Sequence, residues 1–537
     1  MTTAQRRQRT AADVGGGSGL AWPSWREKWT PRVLVGIALY FNICALAIVN
    51  LPDTLWDARL DRATLVIGML GAWRYSWWLT HLIRALIYAK RAFPPLRHRA
   101  DAIWHSGWRP PHIHFQLTTF KERAETTEMV ILGICQEIRA CGVPATIWLG
   151  SANAADERAI ETALRRCGGD LNIRLRVVRQ NAPGKRVAIG LILRAMSRAG
   201  LEPEALVVFM DGDFVLAPGA LPKCLPLFAV HPDLQAVTTD EEVLCIGPAW
   251  MRIWLSMRFA QRRIAMQSHA LSGRVLTLTG RMSVFRSEHL TKIDFIRLLE
   301  ADCLDHWLWG RFRFLSGDDK STWYYLLRQG ARMLYVPDAA GHTIELIEGS
   351  GWQRMVENFR RWSGNMLRNG ARAIALGPRQ MPFFIWWCLI DQRIAMWTML
   401  VSPLLAIAAA ILHGFEYFLA YAIFIAISRM LLALVLFVFS RQIYLSYPFF
   451  LYANQVILAL VKIHMLTRLA KQKWANRGDQ KQGLKGAGAI SVFRTGMASY
   501  VVCLYLSILV ICVLQGGGFV DGPSSLSFSI FFHYLFG

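Results

Sequence analysis

The chain has 537 residues, 54% of them hydrophobic, with 60 Lys and Arg against 37 Asp and Glu for a formal net charge of +23. So apolar a chain of this length excludes a single water-soluble domain and implies a soluble unit joined to a membrane part. The charge calls for anionic partners such as phospholipid, nucleotide or polyanion, and no nucleic acid is expected, since no recognition helix, zinc spacing or ribonucleoprotein motif is present. The ten cysteines are scattered, several within apolar runs and none in a C-x-x-C pair, so they read as reduced packing residues.

Residues 1–32 form a basic tail without a small-residue cleavage site, so the first span is expected to stay as an anchor. Residues 33–52 carry no charge and are long enough to cross a bilayer. Residues 64–89 are a second candidate, interrupted by Arg74 and crowded with Trp73, Tyr75, Trp77 and Trp78. Basic residues flank both ends of this pair. The positive-inside rule then makes 33–91 a transmembrane hairpin and places the following segment, 92–380, in the cytoplasm.

That segment alternates strand-like and helix-like pieces. Residues 113–118, 145–149, 173–178 and 205–210 read as strands; 124–140, 155–166 and 185–198 read as helices. The rhythm predicts an α/β domain with a mostly parallel sheet covered by helices, where ligands bind at the carboxyl ends of strands. The last strand runs into Asp211-Gly212-Asp213, whose glycine lets a loop approach a phosphate or metal closely. Lys185 and Arg186, after Pro183-Gly184, are placed to clamp phosphate at a helix N-terminus; an ordinary basic first turn is the plainer alternative.

About a hundred residues further on comes Ser316-Gly317-Asp318-Asp319-Lys320, and then Asn358-Phe359-Arg360-Arg361-Trp362. Alone, each has a bland reading: a turn or helix cap, with Asp318 capping 320–328, and a solvated helix face. After Pro382 the chain turns apolar. Residues 383–390 are too short to span and read as interfacial. Residues 394–412 and 417–439 should span, the latter with Arg429 inside, and 497–514 make the last of about five spans. If 443–466 spanned, the basic loop 466–496 would be exported, so an interfacial or re-entrant helix is expected there.

Glycosyl transfer from a nucleotide sugar needs charge neutralisation at the leaving diphosphate, a base for the acceptor hydroxyl, and a fixed line between them. Mg²⁺ or Mn²⁺ on one or two carboxylates suits the first task, with Asp213 the favoured ligand and Asp211 beside it. Asp319 is the favoured base. Its neighbour Asp318 would raise its proton affinity and Lys320 would lower it.

With these residues in hand, the chain resembles the family 2 processive glycosyltransferases, which include cellulose, chitin, hyaluronan and alginate synthases. Gly184-Lys185-Arg186 resembles the family's Gly-Lys signature, and Asp211-Gly212-Asp213 its D-x-D. The run Thr279-Gly280-Arg281 to Arg286 resembles the segment walling the acceptor site, and Gly317-Asp318-Asp319 the motif bearing the base. Arg361-Trp362 matches the end of Q-x-x-R-W, and Lys473-Trp474-Ala475-Asn476-Arg477-Gly478 resembles a diverged gating loop over the donor site. The resemblance covers about 90–480.

It implies a GT-A-like domain inserted between transmembrane helices, with an interfacial helix near 352–370 and a basic gating loop at 466–496. It further implies donor contacts from Asp211, Lys185, Arg186, Arg361, Trp362, Trp474 and Arg477. Within the family, Asp319-Lys320 and residues 359–370 look most like alginate polymerase catalytic subunits. That implies GDP-mannuronate as donor, polymannuronate as product and residence in a bacterial inner membrane. A cyclic-di-GMP-binding PilZ-domain co-polymerase and periplasmic export proteins are the implied partners, since no cyclic-dinucleotide receptor domain is evident in the chain.

An anionic polymer would suit Lys320 beside the base and Arg74 and Arg429 along a channel; each arginine pairing with a nearby acid or lipid phosphate is the alternative. There are departures. Asn358 replaces the usual Gln, Asn476 replaces the gating-loop Thr, and Ser151-Ala152-Asn153 stands where an early nucleotide-binding Asp is usual, with Asn153 or Asp156 as partial substitutes. A UDP-sugar polymerase, a transporter without catalysis and a polyanion-binding scaffold are the competing classes.

Overall fold

The computed structural model describes residues 30–56, 61–181, 184–440, 443–474, 480–482 and 488–520. Its centre is an eight-stranded sheet built from β1 (Ile113–Thr118), β2 (Ala145–Ser151), β3 (Ile173–Arg179), β4 (Leu206–Asp211), β5 (Phe214–Leu216), β6 (Leu234–Ile246), β7 (Met282–Arg286) and β10 (Arg332–Leu346). The short pair β8 (Cys303–His306) and β9 (Gly310–Arg313) lies outside it. The sheet order is β3-β2-β1-β4-β7-β6-β10-β5. β3, β2, β1 and β4 are parallel, as the alternating sequence rhythm requires, while β7 inserts antiparallel between β4 and β6.

β1, β2 and β4 are buried along nearly their whole length because helices cover both faces. Helix Ala124–Cys141 stops at Gly142, in the left-handed conformation at φ 65°. Helix Ala154–Gly168 starts on Asn153, whose side chain accepts from Ala155 N–H. The domain is therefore a GT-A-like, mostly parallel curled sheet flanked by apolar helices.

Five helices among the described residues are long and apolar enough to cross a membrane: Pro31–Val49, Phe383–His413, Phe415–Phe439, Tyr447–Leu466 and Ala489–Gly516. The chain is a multi-pass membrane protein. The number matches the sequence reading, but the members differ. The second expected span is a helix, Asp61–Ile87, less apolar than the five. The interfacial helix expected at 383–390 is instead the first quarter of one 31-residue helix. The physical reason is Asp391: its carboxylate accepts from Arg74 Nη1 at 2.6 Å, so the charge that seemed to end the apolar run is neutralised inside the bundle.

Of the two sequence readings of Arg74, channel lining or pairing with a nearby acid, the structure shows the ion pair, which joins two helices. Removing one member of such a buried pair typically costs about 3–5 kcal/mol, whereas replacing both by apolar groups is often near neutral. Arg74→Met is expected to lower the melting temperature in detergent. The Arg74→Met, Asp391→Leu double variant is expected to recover most of the loss, and equal melting temperatures for the parent and the single variant would refute the assignment.

Both ends of Tyr447–Leu466 touch the unit built around the sheet. Tyr447 Oη lies 3.0 Å from Ser256 Oγ, and Trp254 Nε1 donates to Asn454 Oδ1 at 3.2 Å. Just past the helix end, Trp309 Nε1 donates to Thr467 O at 2.7 Å.

Candidate active site

The site forms where three segments meet at the carboxyl end of β4. The first is the Asp211-Gly212-Asp213 loop, held because Gly212 N–H donates to Thr118 O (3.0 Å) and Asp211 N–H to Arg281 O (3.2 Å). A side chain at 212 would place its Cβ 2.9 Å from Thr118 O, so only glycine fits this crossing from the sheet centre to β5. The second segment is the first turn of helix Lys185–Ala199. The third is helix Asp318–Arg328, entered through Gly317 at φ 86°, where a Cβ would also strike Asn365 at 2.8 Å.

Lys185 ties the three together. Its Nζ lies 2.7 Å from Asp211 Oδ1 and 2.9 Å from Asp318 Oδ2. A cation in the first turn of a helix opposes the helix dipole; the two carboxylates offset that. Burial alone would lower the ammonium pKa, but Asp211 and Asp318 outweigh it and hold the group above its ordinary value. Asp318 is likewise held below the usual carboxylate range, because Lys185 overcomes its burial. Asp318 is therefore not the helix cap that the sequence suggested. Gly317 occupies that position with no side-chain cap, and the Asp318 carboxylate faces Lys185.

Asp319, one residue on, is raised above the ordinary carboxylate range by burial and then by Asp318, against the pull of Lys320 and Lys185. Gly280 forms the floor beside it: a Cβ there would lie 3.3 Å from Lys185 Nζ, 3.5 Å from Asp318 Oδ2 and 3.6 Å from Asp319 Cβ. The remaining cavity is lined by Gln116, Lys185, Phe209, Gly280, Asp318 and Asp319. Asp213 is raised to about 6 by burial and by Asp211.

Several expected site residues have other work. Arg186 does not clamp phosphate from the cleft. It is 4% exposed and turned behind helix Asp318–Arg328, donating to Ser321 Oγ (2.9 Å) and Leu298 O (3.0 Å) beside Asp302. Asp302 is also held by Arg372 at 2.8 Å and by Ser321 Oγ at 2.6 Å, so this network seats the helix carrying Asp319. Thr279 donates through its hydroxyl to Met282 O at 2.9 Å and lines the cavity next to Gly280.

Arg281 pairs with Glu241 at 3.0 Å. Lys320 donates to Leu276 O (2.5 Å) and lies over Trp323; burial lowers it to about 8. Asn153 is the helix cap noted above, and Asp156 accepts from Lys121 N–H at 2.6 Å, so both serve the local backbone. Arg361 Nη2 donates to Asn358 Oδ1 at 3.2 Å, and Trp362 stacks on Trp254 with ring centroids 6.2 Å apart. Arg429 is buried and donates to Tyr75 Oη and Gln455 Oε1. Arg477 and Asn476 lie outside the described residues, as does the side chain of Trp474.

Sequence reading missed Asp240, Glu241 and Glu242. Three consecutive acids inside an otherwise apolar strand were the available signal, since such a run survives burial only with cations opposite. Those cations are Arg263, 2.7 Å from Asp240 and 2.6 Å from Glu242, and Arg262 and Arg281 on Glu241. It also missed Gln472. Its amide donates to Arg313 O and accepts from Leu315 N–H, both at 2.9 Å, which ties the root of the basic loop to the strand leading into Asp318.

Comparison with known proteins gives concordant results. The family described as "Glycosyltransferase like family 2" matches residues 110–365. "Glycosyltransferase alg8" of Pseudomonas syringae pv. tomato is 36% identical over 82% of this chain and 90% of its own length. The protein of the same name from Azotobacter vinelandii is 35% identical over 89% and 98%. Among solved structures, mannosyltransferase PcManGT from Pyrobaculum calidifontis in complex with GDP-Man and Mn2+ aligns with 75% of this chain and 98% of its own, at TM-score 0.46 and 19% identity.

Proposed function

The chain belongs to glycosyltransferase family 2, and from that premise we propose a processive, inverting polymerase that draws mannuronate from GDP-mannuronate. The product is β-1,4-linked polymannuronate, the alginate precursor, passed outward across a bacterial inner membrane as it grows. The observation carrying the catalytic reading is Lys185, whose ammonium joins the D-x-D loop to the base helix and so fixes Asp319 beside the donor loop. The acceptor hydroxyl attacks the anomeric carbon, the nucleoside diphosphate departs from the opposite face, and Asp319 takes the hydroxyl proton. Turnover of a donor by a purified glycosyltransferase of this kind releases its nucleoside diphosphate.

Mg²⁺ or Mn²⁺ fits the Asp211-Gly212-Asp213 loop. Asp213 and Asp211 are two hard-oxygen groups that resist ionising together, as the raised Asp213 reflects, and a cation relieves that. When bound, the ion would neutralise charge on the leaving diphosphate. The chain's own residues hold that loop through Gly212 and Lys185.

The uronate reading rests on the two relatives and on charge near Trp362. Arg258 lies over the Trp362 ring at 5.9 Å and is lowered to about 10 by burial. Lys462 lies among Arg258, Asp391 and Arg393. These cations, rather than Arg74, would line the exit of an anionic chain, with Lys320 close to the reacting sugar. Trp362, on a helix that packs against Tyr447–Leu466, would offer an apolar face to an acceptor ring. Contacts at both ends of Tyr447–Leu466 favour that helix lying along the membrane surface, which keeps the basic loop on the side of the catalytic unit. That side is the cytoplasm, and PilZ-domain and periplasmic export partners belong to the same proposal.

A donor screen on the purified membrane protein tests the reading. Release of GDP from GDP-mannuronate with polymer formation is expected; turnover of a UDP-sugar instead would overturn the donor assignment. Trp362→Ala is expected to abolish elongation while sparing donor hydrolysis by water. Equal loss of both would make Trp362 a packing residue.

A further inference from the structure

Outside the active site, His81, His269 and Cys388 converge on one point. Their ligating atoms all lie within 4.8 Å of one another, and Cys388 Sγ is 3.9 Å from His81 Nε2. The three come from different helices: Asp61–Ile87, the last turn of Ala249–Ala270, and Phe383–His413. His269 is 6% exposed and Cys388 3%. Nδ1 of His81 and Nδ1 of His269 are buried with no hydrogen-bond partner. Cys388 Sγ approaches Nε2 of His81, and each imidazole keeps an unmatched Nδ1 in a mostly buried space, where most buried polar atoms find a partner.

We propose that His81, His269 and Cys388 form a binding site for a thiophilic d10 cation, Zn²⁺ or Cu⁺. Two imidazole nitrogens and one sulfur are the donors such ions take, at about 2.0–2.1 Å for nitrogen and about 2.3 Å for sulfur on zinc. Those bond lengths put neighbouring ligand atoms roughly 3.3–3.6 Å apart in a tetrahedron, so small side-chain rotations close the set. On binding, the Cys388 thiol gives up its proton to solvent and its sulfur bonds the ion. Each imidazole bonds through a ring nitrogen that carries no proton, and nothing is oxidised.

The surroundings suit a closed site. Trp77 and Phe384 pack against His81 at centroid distances of 4.9 and 5.4 Å and cover part of its ring. Arg84 is held away on Ser268 O and Ser272 Oγ with its plane over Phe384, close enough to act as counter-charge to a thiolate. A site here would be distinct from the oxygen-only Asp211 and Asp213 pair, which prefers harder ions. It would fasten the catalytic unit to two helices of the membrane part. It would also anchor, at His269, the start of the loop that carries Gly280 and Arg281 to the active site.

The test is metal content of the full chain purified without chelators or affinity metals, by mass spectrometry, before and after incubation with Zn²⁺ or with Cu⁺ under reducing conditions. One zinc or one copper per chain is expected, which also decides between the ions, and Co²⁺ loading should add a thiolate-to-cobalt absorption band in the near ultraviolet. Cys388→Ser and His269→Gln should each lose the band. Should either variant fail to fold, the parent protein supplies the readout: the bound ion should protect Cys388 from alkylation, and a chelator should remove that protection. No zinc or copper above background, with no cobalt band and no metal-dependent protection of Cys388, would overturn the proposal.

Discussion

Asp319→Asn is expected to lower polymer formation on the order of 10²–10⁴-fold, the usual contribution of a general base, while donor binding and the fold survive. The amide keeps the shape of the carboxylate but cannot take the acceptor proton. Asp319 sits above the ordinary carboxylate range because of burial and then Asp318. A base works deprotonated, so activity is full above that raised value and falls as pH drops through it. The acid limb of kcat/KM should therefore lie above the ordinary aspartate value of about 3.9. Lys320 pulls Asp319 down, so Lys320→Met should move the limb to higher pH. A near-normal polymer yield from Asp319→Asn, or an unmoved limb in Lys320→Met, would remove the respective roles.

Much of the fold was readable because periodicity reports burial. β2 and β4 read as apolar runs and β1 and β3 as alternating ones, separated by helical repeats, and their parallel pairing follows from the crossover helices. The position of Asp211 at a strand end was readable for the same reason. The direction in which side chains point was not. Lys185 and Arg186 are neighbours in one helical turn, yet one faces Asp211 and the other is buried on Ser321 beside Asp302. Nothing in a Lys-Arg dipeptide says which will face the cleft.

Charges inside apolar segments were misread for a related reason. Asp391 looked like the end of a short helix, and the choice for Arg74 between a channel cation and the partner of an acid stayed open, because the acid that pairs with it could not be identified. A pair formed between residues so far apart in the chain leaves no local trace. The acids of β6 did leave one, a charged run within a buried strand, and would have been found by asking what could neutralise them.

Lys185→Met should have the second large effect, and it separates a bridging lysine from a simple phosphate contact. Loss of a positioned cation at a transferring group lowers turnover on the order of 10²–10³-fold. If Lys185 bridges, its removal also leaves Asp211 and Asp318 facing each other without their shared counter-charge, a buried imbalance typically costing about 3–5 kcal/mol. The pH response gives the sign. In the parent, Asp318 is held low by Lys185, so its contribution is complete above about 3.9 and is lost only as pH falls through its depressed value. Lys185 is held high, so its contribution is complete below about 10.4 and is lost only as pH rises through its raised value. The bridge therefore spans the whole neutral range.

In Lys185→Met both carboxylates lose their shared counter-charge, and taking up a proton relieves them. The variant's melting temperature should rise more steeply than the parent's between pH 8 and pH 5.5. Adding Asp318→Asn to Lys185→Met should restore stability at pH 8 without restoring turnover. A single variant as stable as the parent at every pH, yet inactive, would mean that Lys185 serves the donor phosphate alone and that the Asp211–Lys185–Asp318 bridge contributes nothing to holding Asp319 in place.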